Sequence, residues 1–291
     1  MIKEYALEPD VLATSFRDFT YFLEKFGVGQ GRLIARFPKR WKGMVYEAAR
    51  ARLSGKRELS LIEIRLNNLS DDVLIAYRQQ SDDGTKPWLE RAIAEHSRLP
   101  FAAIIARENP LANQAVILAN DLDETNAVFQ ASGQKHITRT SAEIVGCVEL
   151  LLGAASVVKL VDPYFDPRAG RWKRMLSKVF DAVTKNGRTG VTVEIHRAEN
   201  ALRPNLEYFF DSVIPDICPH GITLQVFLHP EADMHNRFIL TDIGGASFHT
   251  GLDDNESGGS TATDLVTLVG KETFDTEWNT YAGGNAFLEY E

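Results

Sequence analysis

The spacing of apolar positions changes along the chain, and this change divides the sequence near residue 130. Over the first hundred residues, apolar side chains recur mainly at helical spacing. The stretches with this spacing are 16–26, 41–53, 60–77 and 88–96. Two short apolar runs, 101–108 and 115–121, flank a turn signal and predict a pair of strands. The pattern therefore predicts a mostly helical N-terminal region over residues 1–130.

From residue 131 onward the pattern predicts strands that alternate with helices. Thr140 and Glu143 form a capping box that opens a helix, and the apolar residues between 172 and 183 keep helical spacing. The predicted strands are 156–165, 190–196, 222–229, 235–241, 246–251 and 264–269. Such alternation is typical of an α/β fold with a mixed β-sheet flanked by helices, which we expect over residues 131–291.

Composition sets limits on the class of protein. The chain is 44% hydrophobic and 25% charged, as in ordinary soluble globular proteins. It contains no apolar run of transmembrane length, and its N-terminus lacks the apolar core of a signal peptide. Two distant cysteines, Cys147 and Cys218, match no metal-binding spacing. We therefore expect a cytoplasmic protein without a membrane span, a metal or a cofactor.

Charge is distributed unevenly. Residues 1–100 carry a balance of +3, whereas residues 101–291 carry −11. The segment 32–57 contains nine basic residues and one acid, with aromatic residues between them. Its centre consists of Arg36, Lys39, Arg40, Trp41 and Lys42. This pattern fits a nucleic-acid site that combines phosphate contacts with aromatic stacking, and it fits equally a solvated helix face whose aromatic residues pack inside.

The residues with the clearest chemistry lie in the predicted strand 235–241. His235 and Arg237 are two positions apart, so on a strand they share one face. Asp242 follows at the expected strand end, where a carboxylate can turn back to accept an imidazole N–H. An imidazole that is oriented in this way, beside a guanidinium, suits nucleophilic attack on a phosphate ester.

The sequence His235-x-Arg237-x4-Asp242 resembles the H-x-K-x4-D signature of the phospholipase D superfamily. Thr250 falls at the position of the family's serine, and Asp253 falls where asparagine or glutamate is usual. The arginine variant and the Gly-Leu-Asp ending are most similar to a subgroup that includes the phospholipase D-like domain attached to MIT domains. Bacterial relatives associated with defence operons belong to the same subgroup.

Upstream, Asp162 and Tyr164 follow an apolar run, as in the first strand and exit loop of the superfamily. Because ligands collect at the C-terminal ends of parallel strands, these two residues either line the substrate pocket or are ordinary strand-end residues. The resemblance implies that His235 is the nucleophile or the acid, that Arg237 binds phosphate and that Asp242 orients His235. Thr250 and Asp253 would complete the pocket. His196, His229 and His249 either face the same pocket or are ordinary strand-end residues.

The resemblance further implies a metal-independent phosphodiesterase, most directly a nuclease, that forms a phosphohistidine intermediate. Members of the family bring two histidine motifs together, and only one of the seven histidines here lies in such a motif. We therefore expect a homodimer. Two alternatives stay open, one because arginine replaces the family's lysine and the other because relatives are associated with defence operons. The chain is either a non-catalytic module that binds phosphate groups of lipid or nucleic acid, or a scaffold that assembles with other subunits of an antiviral defence complex.

Overall fold

The computed structural model describes residues 1–78, 84–123, 125–199, 203–255 and 262–291. These residues form two compact units, Ile2–Ser132 and Gly133–Glu291. Each unit contains one β-sheet flanked by helices, which confirms the predicted α/β fold class. Within the described ranges, every helix is too short or too polar to cross a membrane.

The N-terminal unit is built on a parallel sheet of five strands in the order β3-β2-β1-β4-β5. The strands are β1 Lys3–Leu7, β2 Arg32–Ala35, β3 Leu74–Ile75, β4 Ala103–Ala106 and β5 Val116–Leu118. The helices are α1 Pro9–Leu12, α2 Phe16–Glu24, α3 Trp41–Leu53, α4 Arg57–Asn67 and α5 Trp88–Arg98. Apolar clusters cover both sheet faces, since Tyr5 and Leu7 belong to one cluster and Ala6 to another.

This sheet corrects the prediction that the N-terminal region is mostly helical. The predicted strand pair at 101–108 and 115–121 is confirmed as β4 and β5. The strands β1, β2 and β3 were not predicted, and β3 lies inside the stretch 60–77 that was predicted to be helical. These strands are two to five residues long, and β2 is buried along its whole length. Strands that are buried on both faces lose the polar alternation by which a strand is recognised in sequence.

The C-terminal unit contains a mixed sheet of eight strands in the order β13-β9-β8-β7-β10-β11-β12-β6. The strands are β6 Gln134–Thr138, β7 Val157–Val161, β8 Val191–Ala198, β9 Ile222–His229, β10 Phe238–Thr241, β11 Gly244–Phe248, β12 Thr263–Leu268 and β13 Leu288–Tyr290. The helices are α6 Ser141–Gly146, α7 Glu149–Leu152, α8 Gly170–Val183, α9 Arg203–Asp211, α10 Ile214–Ile217 and α11 Lys271–Thr280. Thr140 accepts the backbone N–H of Glu143 at 3.2 Å and so caps α6 as predicted, whereas the side chain of Glu143 pairs with Lys135 and does not complete the capping box.

The direction of β10 decides which residues meet at one edge of this sheet. Strands β7, β8 and β9 are parallel, whereas β10 lies antiparallel between β7 and β11. Phe238 at the start of β10 pairs with Val161 at the end of β7. The residues that precede β10 therefore lie beside those that follow β7, which places His235 and Arg237 at the edge where Asp162 and Tyr164 are found.

Candidate functional site

An open cavity of about 370 Å³ lies at this edge of the C-terminal sheet. It is lined by residues from the entry to β10, from the end of β11 and from β12, namely His235, Asn236, Arg237, Phe238, Ser247, Phe248, His249, Leu265 and Thr267. Its side chains include two imidazoles and one guanidinium, so the cavity offers cationic and proton-transferring groups to a ligand. His249 was left open by the sequence, and the structure places it in the same cavity as His235.

His235 and Arg237 lie in an extended segment that precedes β10, because the ladder of β10 starts at Phe238. The predicted strand 235–241 is therefore three residues too long at its start. The imidazole of His235 is exposed. Arg237 donates from Nη1 to the carbonyl of His235 at 3.3 Å, whereas its buried Nε has no hydrogen-bond partner among the described residues. One donor of the guanidinium is thus unpaired, and it is buried on the protein side of the cavity lining.

Asp242 does not orient His235, and this part of the prediction is wrong. Its carboxylate accepts the backbone N–H of Ser156 through Oδ1 and Oδ2, at 3.0 and 3.2 Å. Ser156 immediately precedes β7, so Asp242 lies at the edge of the sheet opposite to His235. An extended chain rises about 3.3 Å per residue, which separates these two positions by roughly 20 Å.

Asp162 connects the exit of β7 with the loop that follows β11. It is buried, and it accepts the backbone N–H of Tyr164 and of Leu252, each at 2.9 Å. Burial raises the pKa of Asp162, against the opposing effects of these two N–H groups and of Arg237. Asp162 is therefore a structural residue behind the cavity, while the ring of Tyr164 is 60% exposed beside Arg237.

Thr250 and Asp253 are engaged within the protein and do not line the cavity. The Thr250 hydroxyl donates to Asp264 at 3.0 Å, and its backbone N–H donates to the same oxygen at 2.9 Å. Asp253 forms ion pairs with Arg139 and Arg171. The two predicted pocket residues thus help to fix the loop after β11, and neither is among the residues that line the cavity.

The loop after β11 is held so closely that glycine is required in it. Gly251 has a φ of 152°, and a Cβ atom at this position would lie 2.9 Å from Asp253 Oδ1 and 3.3 Å from Asp162 Oδ2. Sequence reasoning did not identify Arg139 or Asp264 as partners of this loop. Each lies at the end of a strand, which was the signal available in the sequence.

A second polar cluster lies within the same unit. His196 is fully buried, and its Nε2 is 2.9 Å from Glu194 while its Nδ1 is 2.9 Å from Nε2 of His229. Lys159 pairs with Glu194 at 3.3 Å. Burial lowers the pKa of His196, although Glu194 opposes this effect. Burial, followed by the neighbouring His196, lowers the pKa of His229. These histidines belong to an internal network, and neither lines the cavity of His235.

In the N-terminal unit, the basic stretch separates into exposed charges and a buried aromatic residue. Arg36, Lys39 and Arg40 are exposed. Trp41 is fully buried and donates its indole N–H to the carbonyl of Leu7 at 2.6 Å, so it cannot stack on a base. Lys42 donates to the carbonyl of Leu69 at 2.7 Å. The prediction that Trp41 contacts nucleic acid is therefore wrong, and the aromatic residue packs inside.

No family model matches the chain, and no curated protein matches it. Several solved structures are similar to parts of it, including the following two. One is TrmBL2, an archaeal chromatin protein, with 13% identity and a TM-score of 0.29 over 54% of this chain and 56% of that chain. The other is polyphosphate kinase from Porphyromonas gingivalis, with 14% identity and a TM-score of 0.30 over 76% of this chain and 32% of that chain. The chain thus spans about half of the first structure and a third of the second.

Proposed function

We propose that the protein is a metal-independent phosphodiesterase, most directly a nuclease, that acts as a homodimer through His235. One observation carries the proposal. The exposed imidazole of His235 and the guanidinium of Arg237, whose Nε has no partner among the described residues, line one open cavity. A guanidinium with unused donors binds phosphate oxygens, and an accessible imidazole beside it is placed to attack phosphorus.

The reaction follows from the two side chains. A nitrogen of His235 attacks phosphorus and forms a P–N bond as the P–O bond to the leaving group breaks. The leaving oxygen takes its proton from His235 of a second copy, which then accepts a proton from the water that hydrolyses the phosphohistidine. Arg237 neutralises charge on the non-bridging oxygens in both steps. The second copy is needed because the sequence contains this histidine motif once.

A second candidate function is phosphate binding without turnover. It is favoured by the position of Asp242, which accepts the backbone N–H of Ser156. Among the described residues, no carboxylate is then hydrogen-bonded to His235. An imidazole that no acceptor orients is a weaker nucleophile and a weaker base. In this case the cavity holds a phosphate group through Arg237, and nothing is cleaved.

The experiment that separates the two functions is an assay of purified full-length protein in EDTA. The substrates are single-stranded and double-stranded DNA and RNA together with bis(p-nitrophenyl) phosphate. Cleavage by wild type and by His220→Ala, an exposed control, but not by His235→Ala supports the phosphodiesterase. Absence of cleavage, with oligonucleotide binding that Arg237→Ala weakens, supports the binding module. Cleavage that His235→Ala retains would overturn the assignment of His235.

The homodimer has its own test. If two chains share one reaction, the activity per chain rises with protein concentration until all chains are dimeric. The dimer fraction measured by sedimentation should follow the same curve. An activity per chain that does not change with concentration, in a protein that sediments as a monomer, would overturn the dimer. His249 of the same cavity would then be the second histidine, and His249→Ala would abolish turnover.

A further inference from the structure

Tyr164 presents an aromatic ring to solvent beside Arg237, which is one of the residues that line the cavity. The residue is 60% exposed, and its ring centroid lies 5.5 Å from the guanidinium carbon of Arg237. An exposed aromatic ring and a neighbouring guanidinium with an unpaired N–H are together the two components of a nucleotide site. The cation holds the phosphate, and the ring offers a face to the base.

The backbone around Tyr164 is fixed, so the ring is held in place before a ligand arrives. Its N–H is bound by the buried carboxylate of Asp162 at 2.9 Å. The next residue, Phe165, is buried and packs against Trp172 and Phe210, with ring centroids 4.7 and 5.9 Å apart. The turn thus holds the ring of Phe165 in the core and leaves the ring of Tyr164 exposed. Because the turn is already ordered, a ligand that binds on Tyr164 meets a lower entropic cost.

We propose that Tyr164 is a stacking platform for a base of single-stranded nucleic acid whose adjacent phosphate is bound by Arg237. This inference rests on the proposed phosphate site and names its ligand class. A base within a duplex is already stacked on both faces, so only a single strand offers a free face to the ring.

Charge supports stacking as the main source of affinity. Residues 101–291 carry a balance of −11, so the general electrostatic attraction for a polyanion is weak in this part of the chain. Phosphate contacts must then be local, and base stacking must supply much of the binding free energy. A phospholipid headgroup has no aromatic face for Tyr164, and six of the nine side chains that line the cavity are polar or charged.

The test compares two main ligands and five forms of the protein, which are wild type, Tyr164→Ala, Tyr164→Phe, Arg237→Ala and a control variant. The ligands are two fluorescein-labelled single strands of thymidine, one intact and one with central bases removed. Every form carries His235→Ala in addition to the change named, so that the strand is not cleaved, and binding is measured by anisotropy at low salt. Stacking of one base changes affinity by about 5- to 150-fold. Wild type should therefore prefer the intact strand by this factor, and Tyr164→Ala should bind the two strands alike. Tyr164→Phe should retain most of the preference.

The matched control is Tyr21 of the N-terminal unit, which is 48% exposed and has the Lys25 ammonium 5.5 Å from its ring centroid. Tyr21→Ala should bind as wild type does. A uridine strand in parallel tells RNA from DNA.

Several outcomes would overturn the inference. One is that wild type and Tyr164→Ala prefer the intact strand to the same extent while Arg237→Ala still weakens binding. This result would keep the phosphate site and rule out the stacking platform. Another is binding of a duplex as tight as that of the single strand. Selective binding of phosphatidylglycerol vesicles would assign the cavity to lipid. If wild type neither binds any strand nor hydrolyses bis(p-nitrophenyl) phosphate, the proposed function fails together with the inference.

Discussion

Asp242 accepts the backbone N–H of Ser156 through both carboxylate oxygens, at the edge of the sheet opposite to His235. The contact joins the end of β10 to the residue that precedes β7, where the two strands are antiparallel neighbours. The aspartate of the His-x-Arg-x4-Asp motif therefore connects two strands of the sheet, and under the proposed function the chemistry falls to His235 and Arg237.

The first prediction concerns Asp242→Asn. The amide keeps one oxygen for Ser156 and loses the charge, so the free energy of unfolding should fall by about 1 kcal/mol in urea denaturation. Phosphodiester turnover of the folded variant should stay within about twofold of wild type, since about 20 Å of strand separates the two side chains. A loss of turnover as large as that of His235→Ala, with stability unchanged, would restore the orienting role to Asp242.

The second prediction concerns the buried carboxylate of Asp162. Asp162→Ala removes the acceptor of two backbone N–H groups, those of Tyr164 and Leu252. Each buried donor without a partner costs about 1 to 3 kcal/mol, so the free energy of unfolding should fall by about 2 to 5 kcal/mol. Asp162→Asn keeps one carboxamide acceptor and should lose less. Equal stability of Asp162→Ala and wild type in denaturant titrations would show that this connection is not formed.

The third prediction follows from the contact between His196 and His229. The pKa values of both histidines in the folded protein lie below the ordinary 6.5. As the pH falls below 6.5, these histidines therefore take up protons in the unfolded chain before they do so in the folded chain. The free energy of unfolding should therefore fall as the pH falls below about 6.5. Among the described residues, Lys159, Glu194 and Tyr281 face this pair, and Asp233 acts on His229 by opposing the fall of its pKa.

The measurement is the pH dependence of urea unfolding between pH 7.5 and 5. His229→Gln removes one of the two coupled rings, and its slope against pH should be shallower than that of wild type. His220→Gln alters an exposed histidine outside this network and should keep the slope of wild type. Equal slopes for wild type and His229→Gln would contradict the assignment.

The fourth prediction separates the roles of the basic stretch. Trp41 is buried in the core of the N-terminal unit, so Trp41→Ala should cost about 3 to 5 kcal/mol of unfolding free energy. The triple variant Arg36→Ala, Lys39→Ala, Arg40→Ala should keep its stability within about 1 kcal/mol. If these exposed cations recruit nucleic acid, the slope of log K against log salt for a single strand should become shallower by about 0.7 per lost contact. An unchanged slope would remove this segment from the binding surface.

Regular elements with a clear pattern were predictable from the sequence. Strand β9 has the predicted bounds, and α8 buries the apolar residues that showed helical spacing. The side chain of Thr140 also caps α6 as predicted. In each case the pattern is local, because a helix or a strand with one buried face repeats its apolar positions at a fixed period.

Features that depend on tertiary packing were not predictable. Strand β2 is four residues long and buried throughout, so it showed no alternation. A linear motif gives the order of His235 and Asp242 but not the residue at which the strand begins, and β10 begins at Phe238. Trp41 opens α3 within a run of cations, and only the contact with Leu7 shows that the indole faces the core.

The most direct test of the central claim is the detection of a phosphohistidine on His235. Wild type is mixed with a single-stranded oligonucleotide in EDTA, quenched within the first turnover in alkaline denaturant and analysed by intact-mass spectrometry. We predict a mass increase of one nucleotidyl fragment on a fraction of the chains, mapped to His235, present in His220→Ala and absent in His235→Ala. Product that accumulates without this adduct, or an adduct on another residue, would contradict the account.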